Sequence, residues 1–186
     1  MAIQVENERR EETFKGLQSR EQASIHTPLG PLVIEASERG LMHIYLAPSG
    51  EEASGHEPAP DSVLAEAVRQ LEQYFAGSRR DFDLPFEIEG SEFERRVLEE
   101  LAHVPYGTTV SYGELAAIAG YPGAARAVGS VMRNNQLMIV LPCHRVIGAD
   151  GSLRGYGGLG CGLDNKRWLL ELEGRRFLRS AVALDS

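Results

Sequence analysis

The sequence predicts an α+β chain in two parts, a small α/β unit followed by a mainly helical one, and three observations carry that reading. Short β-like apolar runs crowd residues 23–46, helical spacing takes over after residue 61, and the charge changes sign between the halves. Residues 1–103 hold ten Lys and Arg against 21 Asp and Glu, a net −11, while residues 104–186 hold nine against six, a net +3. Chance segregation of solvated charge would leave this pattern, and so would a DNA-facing surface. The total of −8 opposes nucleic acid only if charge is spread evenly. With 186 residues, 42% hydrophobic and 25% charged, the chain can build two small domains on a shared core.

Residues 1–22 form a polar extension with too few apolar positions to pack. Ile25–Thr27, Leu32–Ala36 and Leu41–Leu46 then read as a strand meander, separated by Pro28-Leu29-Gly30-Pro31 and Glu38-Arg39-Gly40. A loop rich in Gly, Pro, Ser and Glu spans 48–60. Asp61 can cap a helix whose Leu64, Val68, Leu71 and Phe75 share one face and which Gly77 ends. Phe82–Ile88 can add a strand, and Glu89-Gly90 closes a first domain over 23–89.

The second domain, 90–178 with a tail at 179–186, opens with two Ser-x-x-Glu capping boxes, Ser91 with Glu94 and Ser111 with Glu114. Phe93, Val97, Leu98 and Leu101 form the core stripe of the first helix, which stops at Pro105-Tyr106-Gly107. Leu115 and Ile118 anchor the second, closed by Gly120. The Tyr121-Pro122-Gly123 turn leads into a thin third helix at 124–133, and the pair has the form of a helix-turn-helix. Its small residues, Ala125, Ala127 and Gly129 among them, with Arg126 and Arg133, suit close approach to a DNA groove. They would equally let the helix pack tightly on a neighbour.

An apolar run, Leu137–Leu141, reads as a buried strand that Pro142 terminates, so Cys143 falls at an abrupt change of direction beside His144. A thiol next to an imidazole can be activated as a thiolate nucleophile. The last clear helix, Asp164 to Glu173, has Trp168, Leu169 and Leu172 as its buried stripe. Glu173 lies on the edge of that face, where a carboxylate can orient an imidazole.

The stretches PYGTTVSYGELAAIAG (105–120), AARAVGSVMRNN (124–135), LPCHRVIGADGSLRGYGG (141–158) and WLLELEG (168–174) resemble the O6-alkylguanine-DNA alkyltransferases. The resemblance is specific over 90–175 and looser over 23–88. It implies a ribonuclease-H-like α/β domain followed by a winged-helix-like DNA-binding and catalytic domain. It further implies single-turnover transfer of an alkyl group from O6-alkylguanine, and by extension O4-alkylthymine, in duplex DNA. Cys143 would be the acceptor, His144 the base acting through a water, and Glu173 the residue that orients it. Asn135 would brace the turn, and Tyr112 would donate a proton towards guanine N3. Arg126 would enter the minor groove and fill the place of the flipped nucleotide, on a DNA-binding helix that also presents Ala125, Ala127, Gly129 and Arg133. Val146, Tyr156, Gly157 and Gly158 would line the base pocket.

Two departures qualify the match. The cysteines of an amino-terminal zinc site found in some members are absent, so neither metal nor other cofactor is expected. About three additional residues fall within LGCGLD (159–164), where Cys161 is expected to be an exposed bystander. The sequence has no apolar segment of membrane-spanning length and no secretory signal, which gives an expectation of a cytoplasmic monomer. Three rivals are a non-catalytic alkyltransferase-like lesion binder, a cysteine hydrolase and a helix-turn-helix regulator. Cys143 opposes the first, since those proteins usually carry tryptophan there. No oxyanion hole can be located for the second, and the recognition helix is poor in base-reading side chains for the third.

Overall fold

Glycine turns set the limits of the first three strands. The computed structural model describes residues 20–48, 58–86, 88, 90–154 and 162–175. In it β1 (Glu21–Thr27), β2 (Gly30–Ser37) and β3 (Gly40–Leu46) form an antiparallel meander in the order β1-β2-β3. Ile34 pairs with Ala23 on one side and Ile44 on the other, so period-two alternation puts Leu32, Ile34 and Ala36 on the core face. Gly40 is required by close approach: a Cβ there would lie 2.6 Å from the Pro85 carbonyl oxygen.

Helix α1 (Val63–Phe75) covers the core face of this sheet. Its cap is Ser62, whose side chain accepts from Ala65 N, and not Asp61. Its buried stripe is Leu64, Ala67, Gln70, Leu71 and Tyr74. Val68 and Phe75 are only half-buried, so the helix is rotated towards Tyr74 relative to the expected face. The anticipated strand at 82–88 is reduced, over its described residues, to one bridge between Leu41 and Phe86. Gln70 bonds both Asp83 N and Asp83 O, and Pro85 has no N–H for a ladder, though its carbonyl accepts from Leu41 N at 2.8 Å.

The second domain begins with α2 (Glu92–Ala102), whose capping box is complete and whose Val97 and Leu101 are fully buried. Burial of side chains of this size stabilises by about 1.5–3 kcal/mol each. The second capping box starts α3 (Tyr112–Ile118). Helix α3 buries Leu115 and Ala116, while Ile118 is 58% exposed and is not an anchor. Ile118 lies about 100° around the helix from the Leu115, Ala116, Ala119 face that packs inward. Helix α4 (Ala125–Arg133) packs on α3 and buries Val128, Val131 and Met132.

Residues 137–141 are not a strand. Leu141 N bonds back to Leu137 O at 2.8 Å, and Ile139 takes a left-handed conformation, φ 75°, inside a tight buried loop. A β-branched residue in that region stores roughly 1–3 kcal/mol of strain, which the surrounding bonds must hold. A 3-10 turn (Cys143–Arg145) follows, then β5 (Val146–Ile147), which pairs in parallel with β4 (Val110–Ser111). Helix α5 (Leu163–Leu172) completes the described chain. It buries Lys166, Leu169 and Leu170, whereas Trp168 and Leu172, expected in the stripe, are half-buried. One apolar core runs through both domains, joined where Ile44 N donates to Gln136 O at 2.8 Å. No helix among the described residues is long and apolar enough to cross a membrane.

Candidate active site

Two braces hold the turn that carries Cys143. Buried Asn135 donates through Nδ2 to Leu141 O at 2.8 Å and accepts from Leu137 N through Oδ1 at 3.1 Å. Both ends of the tight loop are thereby tied to one side chain. Cys143 N then donates to Leu141 O, and Arg145 N to Pro142 O, which folds the chain back on itself at the proline. The Cys143 side chain is buried, at 5% exposure.

Beside it, His144 is fully buried and its Nε2 lies 2.8 Å from Glu173 Oε1. A carboxylate only accepts, so Nε2 carries the proton and Nδ1 is left as an acceptor. Among the described residues, that Nδ1 is the buried side-chain polar atom that no protein group satisfies. Burial holds the imidazole below its ordinary pKa, against the pull of Glu173. The group is therefore a neutral base with one open nitrogen.

Glu173 stands at the C-cap of α5, where the helix dipole disfavours a negative charge. Its surroundings reverse that. Arg145 donates to both carboxylate oxygens, Tyr74 OH donates to Oε1 at 2.8 Å, and Gly107 N donates to Oε2 at 3.1 Å. Gly107, at φ 74°, has no room for a side chain, because a Cβ would meet Glu173 O at 2.9 Å. Burial alone would lift the Glu173 carboxyl, but bonds and charges from His144 and Arg145 outweigh it and bring it from 4.5 down to about 2.

On the other side of the turn, half-buried Tyr112 donates to Arg154 O at 2.7 Å. Lys166 Nζ, fully buried, donates to Val146 O at 2.6 Å and Arg154 O at 2.9 Å and reaches Tyr112 OH at 3.5 Å. Burial brings the ammonium down to about 8, against the pull of Cys143. Burial, then the charge of Cys143, pushes the Tyr112 phenol up. Cys143, His144, Glu173, Asn135 and Tyr112 thus sit within one connected set of elements. Val146 is fully buried at its edge.

On α4, Arg126 and Arg133 are exposed, as is Ala127, while Ala125 and Gly129 are half-buried. A Cβ built on Gly129 would meet nothing, so its small size does not serve packing against a neighbour. Tyr156, Gly157, Gly158 and Cys161 lie outside the described residues. A cleft of about 990 Å³ lies behind the turn, lined by Glu35, His43, Tyr45 and Arg133 among others; Cys143 does not border it.

Sequence reasoning missed Tyr74, Arg145 and Lys166. Arg145 carried a signal, since it belongs to the same Pro-Cys-His-Arg string. Tyr74 and Lys166 carried none beyond their residue type.

Residues 22–88 match the family model described as 6-O-methylguanine DNA methyltransferase, ribonuclease-like domain, and residues 92–175 match that of the DNA-binding domain. The chain is 44% identical over 163 residues to the methylated-DNA–protein-cysteine methyltransferase of Mycobacterium leprae, covering 87% of this chain and 97% of that one. It is 40% identical over 152 residues to the constitutive enzyme of that name from Bacillus subtilis, with 79% and 91% covered. Among solved structures, the O6-methylguanine methyltransferase of Mycobacterium tuberculosis superposes with a TM-score of 0.72 at 39% identity, covering 89% of this chain and 99% of that one. The same organism's protein in complex with DNA gives 0.71 at 43%, with 82% and 91% covered.

Proposed function

This chain belongs to the 6-O-methylguanine DNA methyltransferase family, and from that premise we propose that Cys143 is the residue to which it transfers the alkyl group of O6-alkylguanine in duplex DNA. The protein is a methylated-DNA–protein-cysteine methyltransferase, and its partner is DNA carrying an alkylated base. The observation that carries the residue assignment is the open Nδ1 of buried His144, the residue next in the chain to the buried Cys143, with Nε2 fixed on Glu173.

The chemistry follows from those positions. Before attack, the proton of the Cys143 thiol passes through one water to His144 Nδ1, and Glu173 stabilises the imidazolium. Sulfur attacks the saturated carbon in line with O6, so the S–C bond forms as the C–O6 bond breaks. The released electron pair enters the guanine ring. Tyr112 supplies a proton to N3; exchange with solvent then moves that proton to N1, restoring guanine, and returns the proton held by His144 to the Tyr112 phenolate. The Tyr112 hydroxyl bonds Arg154 O, so the bound base competes for its proton. Lys166, bonded to Val146 O and Arg154 O, anchors the two segments that flank the site.

The product is a thioether. A thioether carbon is not displaced from sulfur by the neighbouring phenol of Tyr112 or amine of Lys166, so each molecule acts once. Arg126, exposed on α4, enters the minor groove and occupies the space of the extruded nucleotide, with Ala125, Ala127 and Gly129 permitting close approach and Arg133 meeting phosphate. Val146 borders the pocket that receives the base. The protein works as a monomer in the cytoplasm. A lesion-binding protein without chemistry would need neither the thiol nor the relay. The test is Cys143→Ala: it should bind O6-methylguanine duplex as the parent does and leave the lesion intact. Lesion removal by that variant would overturn the assignment.

A further inference from the structure

We propose that Tyr74, a residue of the first domain, is a positioning residue for alkyl transfer: its hydroxyl fixes the Glu173 oxygen on which His144 is held. The inference rests on the relay assigned above. Tyr74 OH donates to Glu173 Oε1 at 2.8 Å, and His144 Nε2 sits 2.8 Å from the same atom. The phenol is fully buried, and a buried hydroxyl is tolerated only when bonded. Its ring cannot swing, because Phe75, Phe82 and Tyr106 enclose it with centroids 5.6, 5.5 and 6.2 Å away. The hydroxyl is therefore delivered to Oε1 from a rigid mount on α1, 99 residues away in sequence.

Two effects follow. The donor fixes the direction of the lone pair that receives His144, which keeps the imidazole in one orientation with Nδ1 as the accepting nitrogen. It also draws charge from the carboxylate and so moderates how firmly the imidazolium is held. The groups facing this relay are Lys166 on α5 and Glu173 at its C-cap, Cys143, His144 and Arg145 on the turn, and Tyr106, with Arg80 over the Tyr106 ring at 5.6 Å. None of the others is a neutral donor to Oε1. A Tyr74 that merely filled the core would affect stability alone.

The experiment is single-turnover methyl transfer from duplex DNA measured across pH, with peptide mapping of the label. Tyr74→Phe should lower the plateau rate about tenfold, the order expected for losing one bond to a charged group. Its acid limb should move to higher pH, because a carboxylate relieved of a donor holds the imidazolium more tightly. Incorporating 3-fluorotyrosine at position 74, a stronger donor that keeps the hydroxyl, should move the limb the opposite way. Ser62→Ala, which removes the α1 cap, should lower stability and leave rate and limb unchanged. An unmoved limb in both Tyr74 variants, with label on Cys143 throughout, overturns this inference alone. Label absent from Cys143 in the parent overturns the relay on which it rests.

Discussion

Replacing Glu173 by Gln conserves shape and removes the charge on which the site converges. Every group around this carboxylate is a donor: Tyr74 OH, His144 Nε2, Arg145 and Gly107 N. A glutamine must turn its NH2 towards one of them, and Arg145 loses its counter-ion while 5% exposed. The carboxyl's fall from 4.5 to about 2 corresponds to about 3 kcal/mol of folding stability. That agrees with the ~3–5 kcal/mol typical of breaking one side of a buried ion pair. For a chain of this size the melting temperature should drop by roughly 6–12 °C at pH 7. The pH dependence has a definite sign. The folded pKa is depressed, so the contribution is complete above pH 4.5 and is lost as pH falls to about 2. Glu173→Gln should lack that part of the acid loss. With His144 free to change tautomer, transfer should slow by roughly 10²–10⁴-fold. Calorimetry between pH 3 and 7 and single-turnover kinetics on the same samples measure both. A parental melting temperature at pH 7 together with a parental rate would refute the reasoning.

Arg126→Ala should slow repair of duplex DNA far more than reaction with free O6-benzylguanine, since Arg126 is exposed on α4; equal losses would assign it to the chemistry or the fold. Lys166→Met should destabilise the fold by roughly 2–4 kcal/mol, because two carbonyls lose their donor. Burial depresses the folded ammonium to about 8, so the parent should gain stability between pH 8 and 10.5, a gain the variant lacks in thermal melts. Asn135→Ala should cost roughly 2–4 kcal/mol and transfer activity together, as Leu141 O and Leu137 N lose their shared partner. Binding to undamaged duplex should show a shallow salt dependence, a log–log slope of about −3 to −4.5 for roughly three to five neutralised phosphates, with little sequence preference. Arg154 should add little, as Asp150 holds it at 2.7 Å; a slope near −10 would mean another binding face.

Local chemistry was readable without coordinates. Both capping boxes depend on residues three apart, and both are complete in the fold. The thiol, its histidine and its glutamate were legible as residue types in a specific string. What escaped the sequence depends on distant partners. Tyr74 meets Glu173 across 99 positions, and the α1 stripe was read along its larger side chains, Val68 and Phe75, when Ala67 and Tyr74 are the buried ones. Lysine is so rarely buried that its residue type gives no sign of the place of Lys166, which two carbonyls and the nearby thiol explain. Leu137–Leu141 has the composition of a strand, but the side chain of Asn135 and the left-handed Ile139 close it into a loop.

The central claim is that Cys143 keeps the alkyl group it removes. Intact mass with peptide mapping, taken after exposure to excess duplex containing O6-methylguanine, tests it most directly. The account predicts one added methyl group per molecule, on the peptide holding Cys143, with no further gain as DNA is increased. Unchanged protein mass while lesions disappear, or a methyl found on Cys161, would contradict it.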